Sequence, residues 1–137
     1  MTPMTLPPFP PFPIRGVRAR YVRQAGCPSD FADVTVDFEP WEDGLVFEVA
    51  DGAEVAGDPA ASDLMVYHKA FVAGVREELA ARAADVAVAV VVHRTTVHDV
   101  DSHERAFHAA GRVAVREAFA RIDGPPRRPK RRRAGMA

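Results

Sequence analysis

The stretch from Val86 to Phe107 constrains this chain more than any other. Val86 to Val92 is continuously apolar, with β-branched residues at Val86, Val88, Val90, Val91 and Val92. That composition predicts a buried strand. Beyond Phe107, small or apolar residues recur at Gly111, Ala114, Ala118 and Ile122. Spacings of three and four mark one face of a helix. Between them lies the polar run from Val97 to Ala106. Strand and helix are thus joined with almost no linker, and the intervening polar residues are expected at one end of a sheet, held from both sides. Asp101 stands three residues before Glu104, the spacing of a capping box, so Asp101, Ser102 and Glu104 are expected to cap the second helix.

The other elements follow from alternation and punctuation. Residues 14–24 alternate, with Arg18, Arg20 and Gln24 on one side and Val17, Ala19 and Tyr21 on the other, which predicts a strand with a basic outer face. Residues 25–30 read as a turn. Phe31, Val34, Val36 and Phe38 set against Asp33, Thr35, Asp37 and Glu39 predict a second strand, antiparallel to the first. Pro40 and Asp43-Gly44 break it, and Leu45 to Ala50 predicts a third. Residues 51–61 read as an acidic loop. A helix is expected from Ser62 or Asp63, either of which is a capping residue, to Arg82, with an apolar face of Leu64, Tyr67, Phe71, Val75 and Leu79. The order β-β-β-α-β-α predicts an α+β layer with both helices on one face of a mostly antiparallel sheet.

With 137 residues the chain is long enough for one domain with a modest core. Residues 1–13 contain six prolines and are expected to form a Pro-rich extended arm, either a leader or a strap laid on the domain or on a partner. The globular domain is placed at 14–124. Residues 125–137 are expected to be a basic disordered tail. Through residue 126 there are 12 basic and 19 acidic residues, whereas 127–137 holds six basic residues and no acidic one. The body repels a phosphate backbone on average and the tail attracts one. A single cysteine, Cys27, excludes an internal disulfide. No apolar run is long enough to span a membrane, and the N-terminus lacks the pattern of a secretory signal. These features predict a cytoplasmic protein with no membrane partner.

Little of the composition points to catalysis. There is no phosphate-binding glycine loop, so no GTP or other nucleotide cofactor is expected. His98, His103 and His108 recur every five residues and share no helical face, which argues against a metal site. His98 beside Asp99 and Asp101 has the composition of an acid–base pair but lacks a neighbouring nucleophile, and the capping reading accounts for the same residues.

The residues nevertheless resemble a family. Tyr21-Val22-Arg23-Gln24, Phe31, Val34, Val36 and Glu39-Pro40, then Phe47-Glu48-Val49, are similar to the first strands of domain IV of translation elongation factor G. Tyr67, Ala70, Gly74-Val75-Arg76-Glu77 and Leu79 resemble its first helix. His98-Asp99-Val100-Asp101-Ser102, Glu104 and Ala106-Phe107 resemble its most recognisable motif, and the likeness covers about residues 15–123. It implies an α+β split β-α-β sandwich, with two helices on one face of a four-stranded mixed sheet and a left-handed crossover. It also implies a tip, formed by residues 25–33 and 93–102, that contacts the small ribosomal subunit, transfer RNA and messenger RNA. The residues expected to carry ribosome or RNA binding are Cys27, Pro28, Ser29, Thr96, His98 and Asp99 in the tip loops, and Arg127, Arg128, Lys130, Arg131, Arg132 and Arg133 in the tail.

The departures from the family set the competing expectation. The family's first tip loop, Gly-Gly-Arg-Gly-Gln-Tyr-Gly-His, is replaced by Gly26-Cys27-Pro28-Ser29-Asp30-Phe31-Ala32-Asp33. The phosphate-pairing arginine becomes Pro28, and the carboxylates Asp30 and Asp33 are expected to repel phosphates. The GTP-binding and other factor domains have no counterpart in the sequence, so the chain is expected to be a stand-alone, non-enzymatic, translation-factor-like domain that binds the ribosome or RNA. The alternative is a repurposed protein-interaction or assembly module with a protein partner or a second copy of itself.

Overall fold

A computed structural model describes residues 7–23, 30–98 and 102–124. Its elements are β1 (Ile14–Arg23), β2 (Asp30–Pro40), β3 (Gly44–Ala56), α1 (Ala61–Arg82), β4 (Ala87–Thr96) and α2 (Glu104–Asp123). They form a four-stranded sheet in the order β1-β2-β4-β3. β1 and β4 run antiparallel to β2, while β3 and β4 are parallel. The sheet is therefore mixed, because α1 returns the chain so that β3 and β4 point the same way. α2 packs on β1 and β2, and α1 packs on α2.

The alternating sequences lay one set of side chains under the helices. Val17, Val34, Val36, Phe38, Val88, Val90 and Val92 are buried there against Phe71, Val75 and Leu79 of α1 and Phe107, Ala114 and Val115 of α2. The helix-free face is polar, as half-solvated sheets are. There Arg15 pairs with Glu39, Arg18 with Asp33, His93 with Asp37 and Arg94 with Glu54. Two glycines set the helix crossing. A Cβ at Gly74 would stand 2.0 Å from the His108 carbonyl oxygen, and one at Gly111 would stand 2.1 Å from that of Phe71. Only hydrogen at these positions lets the two backbones approach so closely.

Four boundaries differ from expectation. β3 runs on to Ala56 through residues read as an acidic loop. Val49 pairs with Val92 and Glu54 with Arg94, so residues 50–53 form a bulge, with Gly52 at φ +75°. An edge strand is paired on one side only and accepts Asp, Glu and Gly that a central strand would not. β4 likewise extends beyond its valines to Thr96. Neither helix has the expected cap. The N-cap residues are Ala60 and His103, and neither makes a side-chain cap hydrogen bond. With His103 at the cap, the third helical position is Ala106, which has no carboxylate to complete a box. Ser62 and Asp63 fall inside α1, and Asp101 lies outside the described residues.

Within the described part of the Pro-rich arm, Phe9 is a core residue, only 3% exposed. Its ring meets Phe38 edge-on and stacks on Phe119, with centroids 5.4 and 5.1 Å away. The Phe9 N–H donates to the Asp85 carbonyl, and the Phe9 carbonyl accepts from the Ala87 N–H.

Candidate nucleic-acid interface

One end of the sheet gathers the start of β2, the end of β4, the β3–α1 connection and the start of α2. The Val97 N–H donates to the Ala56 carbonyl, tying β4 to the end of β3. The His98 imidazole stacks on the Phe31 ring, with centroids 3.7 Å apart and planes within 2°. His98 is exposed while Phe31 is buried. The imidazole therefore caps an aromatic support and presents its other face outward.

Ser102 holds that arrangement, a role distinct from the capping expected of it. The His98 N–H donates to Ser102 Oγ at 2.9 Å, and Ser102 Oγ donates to the Phe31 carbonyl at 2.9 Å. The Ser102 N–H closes the bend on the His98 carbonyl. Beneath it, the Tyr67 hydroxyl donates to the Ser102 carbonyl and the Tyr67 ring stacks on Phe107 at 4.7 Å. One hydroxyl thus connects the histidine bend to the start of β2, and a buried hydroxyl with both of its bonds made is rigidly placed.

The two carboxylates expected to repel phosphate do not present a negative surface. Asp30 and Asp33 are residues of β2, and both are buried. Asp30 accepts from Arg105 Nε at 2.9 and 3.0 Å. The hydrogen bond from Arg105 holds its carboxyl below the usual range despite the opposing effect of burial. Asp33 accepts from Arg18 Nε, and Arg20 Nε lies 3.8 Å away. Both acids are buried and the guanidinia that cover them are exposed, with side chains of Arg18, Arg20 and Arg105 63%, 58% and 57% exposed. The Arg20 guanidinium also lies 5.8 Å from the centroid of Phe31. The described end of the molecule therefore offers a ring platform bordered by arginines anchored on buried carboxylates. This combination suits bases that stack and phosphates that pair.

Of the residues expected at the site, the structure describes two. His98 is at the tip. Thr96 is a strand residue, opposite Asp33 on one side and Ala56 on the other, and does not belong to a loop. Cys27, Pro28, Ser29, Asp99, Arg127, Arg128, Lys130, Arg131, Arg132 and Arg133 lie outside the described residues. Phe31 and Ser102 fall within the segments expected to form the tip but were not among the residues expected to bind, and Arg105 lies outside those segments. Their partners lie 71 and 75 residues away in sequence, and no local pattern reveals such a contact.

Three of the four remaining histidines are engaged elsewhere, while His103, at the N-cap of α2, has a buried Nε2 with no hydrogen-bond partner among the described residues. His68 Nε2 bonds Thr95 Oγ1 in the core, where burial lowers its pKa. His93 pairs with Asp37, and His108 lies 3.3 Å from Glu77. Among the described residues, no group of three or more His, Cys, Asp or Glu side chains is placed to hold a metal ion. No helix among them is long and apolar enough to cross a membrane.

Comparison with known proteins places the fold in a family. The family described as "Elongation factor G, domain IV" covers residues 13–122. Elongation factor G from Dehalococcoides mccartyi strain 195 is 35% identical over 108 residues, covering 76% of this chain and 15% of that protein. The strain BAV1 protein of the same name is 33% identical over the same length and coverage. The chain thus spans 15% of the length of these curated relatives. A crystal structure of a protein from Thermus thermophilus shares the fold, with a TM-score of 0.58 and 24% identity over 74% of this chain and 15% of that one. By its matched residues, its mixed sheet and its pair of helices, this chain belongs to the elongation factor G domain IV family.

Proposed function

We propose that this chain is a non-enzymatic, translation-factor-like module that docks its tip on ribosomal RNA of the small subunit. The observation that carries the reading is the exposed His98 ring on Phe31, bordered by Arg18, Arg20 and Arg105 at the end of a domain IV fold. Among the described residues of this arrangement, the Ser102 hydroxyl is engaged with the Phe31 carbonyl, and the chemistry on offer is that of stacking and charge pairing. The basic segment 127–133 adds electrostatic attraction that depends on salt.

Co-sedimentation with purified small ribosomal subunits tests this. The chain pellets with subunits at low salt and is released as salt rises. Removing residues 127–137 weakens the association. His98→Ala, which deletes one stacking platform worth roughly 1 kcal/mol or more, weakens it about fivefold or more. Absence of co-pelleting at low salt refutes the proposal.

A second reading has its own observation. Val49 and Met65 are 52% and 66% exposed and line an apolar trough of about 520 Å³ between β3 and α1 with Phe47 and Val72. An assembly module would seat a protein surface, such as a second copy, there. Sedimentation equilibrium decides: a concentration-dependent dimer favours this reading, and a strict monomer that binds subunits removes it.

A further inference from the structure

The helix face carries a charge cluster that the tip does not use. Glu78 of α1 is buried, and three arginines converge on it: Arg82 Nε at 2.7 Å, Arg112 Nε at 3.2 Å and Arg116 Nε at 3.3 Å. One carboxylate needs fewer guanidinia than three, and three held this close repel one another. Glu77 lies near Arg112 at 3.4 Å, so three guanidinia face two carboxylates and one positive charge is in excess.

The mode of pairing matters more than the count. Each arginine engages Glu78 through Nε, the inner nitrogen, so the Nη on the opposite edge of each guanidinium is directed away from the carboxylate. Among the described residues, nothing accepts a hydrogen bond from the Nη atoms of Arg82 or Arg116. The three side chains remain 41%, 41% and 48% exposed. They form a fan of donors fixed at its base and open at its rim, the arrangement that planar guanidinia use for bidentate recognition of phosphate.

The cluster is also continuous with the tip. At about 100° per residue, positions 105, 112 and 116 of α2 fall within about 40° of one another, and they span about 16 Å of helix. Arg105 is the tip arginine held by Asp30. A single solvent-facing stripe therefore leads from the His98 platform to the Glu78 cluster, with its guanidinia anchored on buried carboxylates at both ends. The stripe is a surface and not an enclosed cavity, which suits a polymer that presents successive phosphates better than a small ligand that needs enclosure.

We propose that Arg82, Arg112 and Arg116 form a phosphodiester-binding site for an RNA strand that continues past the tip along α2. The proposal rests on the RNA-docking reading above but is tested apart from it. Anisotropy of a labelled short single-stranded RNA is followed against salt for the full chain, for Arg112→Gln/Arg116→Gln and for Glu78→Gln. Losing two phosphate contacts lowers the slope of log affinity against log salt by roughly 1.4, at about 0.7 per contact for single strands. Glu78→Gln keeps all three arginines and removes the competing charge, so it tightens RNA binding and steepens the slope. It also covers the case in which the double variant fails to fold. An unchanged slope in the folded double variant, or weaker RNA binding by folded Glu78→Gln, overturns the site. Either result leaves subunit co-pelleting and its dependence on His98 intact, so the two proposals fail separately.

Discussion

Replacing Gly111 by Ala is the sharpest probe of what holds the two helices together. The added methyl carbon would lie 2.1 Å from the Phe71 carbonyl oxygen and 2.9 Å from the Val75 nitrogen. Ordinary contact begins at 3.4 Å, so the backbones must part by about 1.3 Å. Both obstacles are main-chain atoms of α1, and no rotamer change relieves them. Separation loosens Phe71 and Val75 from α2, where both are fully buried. Overpacking of this kind costs about 3 kcal/mol, at the upper end of its usual range because backbone must move. Helix propensity returns about 1 kcal/mol, leaving a net loss of about 2 kcal/mol. For a domain of this size that lowers Tm by roughly 8 °C. Urea unfolding followed by circular dichroism measures it. Gly74 lies across the same crossing, with the His108 carbonyl 2.0 Å from its missing Cβ. Once one alanine has spread the helices, the second has room, so the double variant falls short of the summed losses by about 1 kcal/mol or more. A Gly111→Ala protein as stable as the parent, or strictly additive losses, would refute the close-approach argument.

Other consequences are independent of that crossing. Glu78 is held at about 2, against an ordinary 4.5, first by its hydrogen bond to Arg82 and then by those to Arg112 and Arg116. A depressed folded pKa contributes stability that is complete above about pH 4.5 and is lost as pH falls to about 2. The upper bound is ~3 kcal/mol, and screening of the half-exposed arginines reduces it to about 1–2 kcal/mol. Acid unfolding of Glu78→Gln should lack that increment, and an identical pH profile in both proteins counts against the cluster. Phe9→Ala, which empties a site between Phe38 and Phe119, should cost about 3 kcal/mol in chemical denaturation, and a negligible effect would show that the arm is not part of the core. Ser102→Ala removes a bridge whose bond to Phe31 is buried and whose bond from His98 is partly so, and should cost about 1–2 kcal/mol. The His98 ring resonances should lose their Phe31 ring-current shift in the same variant, and an unmoved spectrum would assign the stack to other contacts.

Local pattern in the chain determined a good deal. Period-two alternation at residues 17–21 and 32–39, the valine run at 86–92 and the small residues every third or fourth place after Phe107 each specify an element and its inward face, because side-chain direction repeats with the backbone, whereas Phe31, grouped with the inward residues, lies on the opposite face against His98 and Arg20. The motif from His98 to Phe107 carried the family resemblance. Ends were less legible. Residues 51–56 have loop composition but are held in the sheet by β4, and the apparent capping box at Asp101 and Glu104 lost to a helix that begins after His103.

What the amino-acid order could not reveal was the sign of the surface at the tip. Asp30 and Asp33 read as exposed negative charge, and in the fold both are buried under Arg105, Arg18 and Arg20, because a buried carboxylate requires a cation and these arginines arrive from distant positions. The His98–Phe31 stack, the Ser102 bridge and the three arginines on Glu78 likewise depend on contacts between separate elements. Periodicity encodes which way a residue faces within its own element; which residue it meets there is decided only when the helices and strands pack.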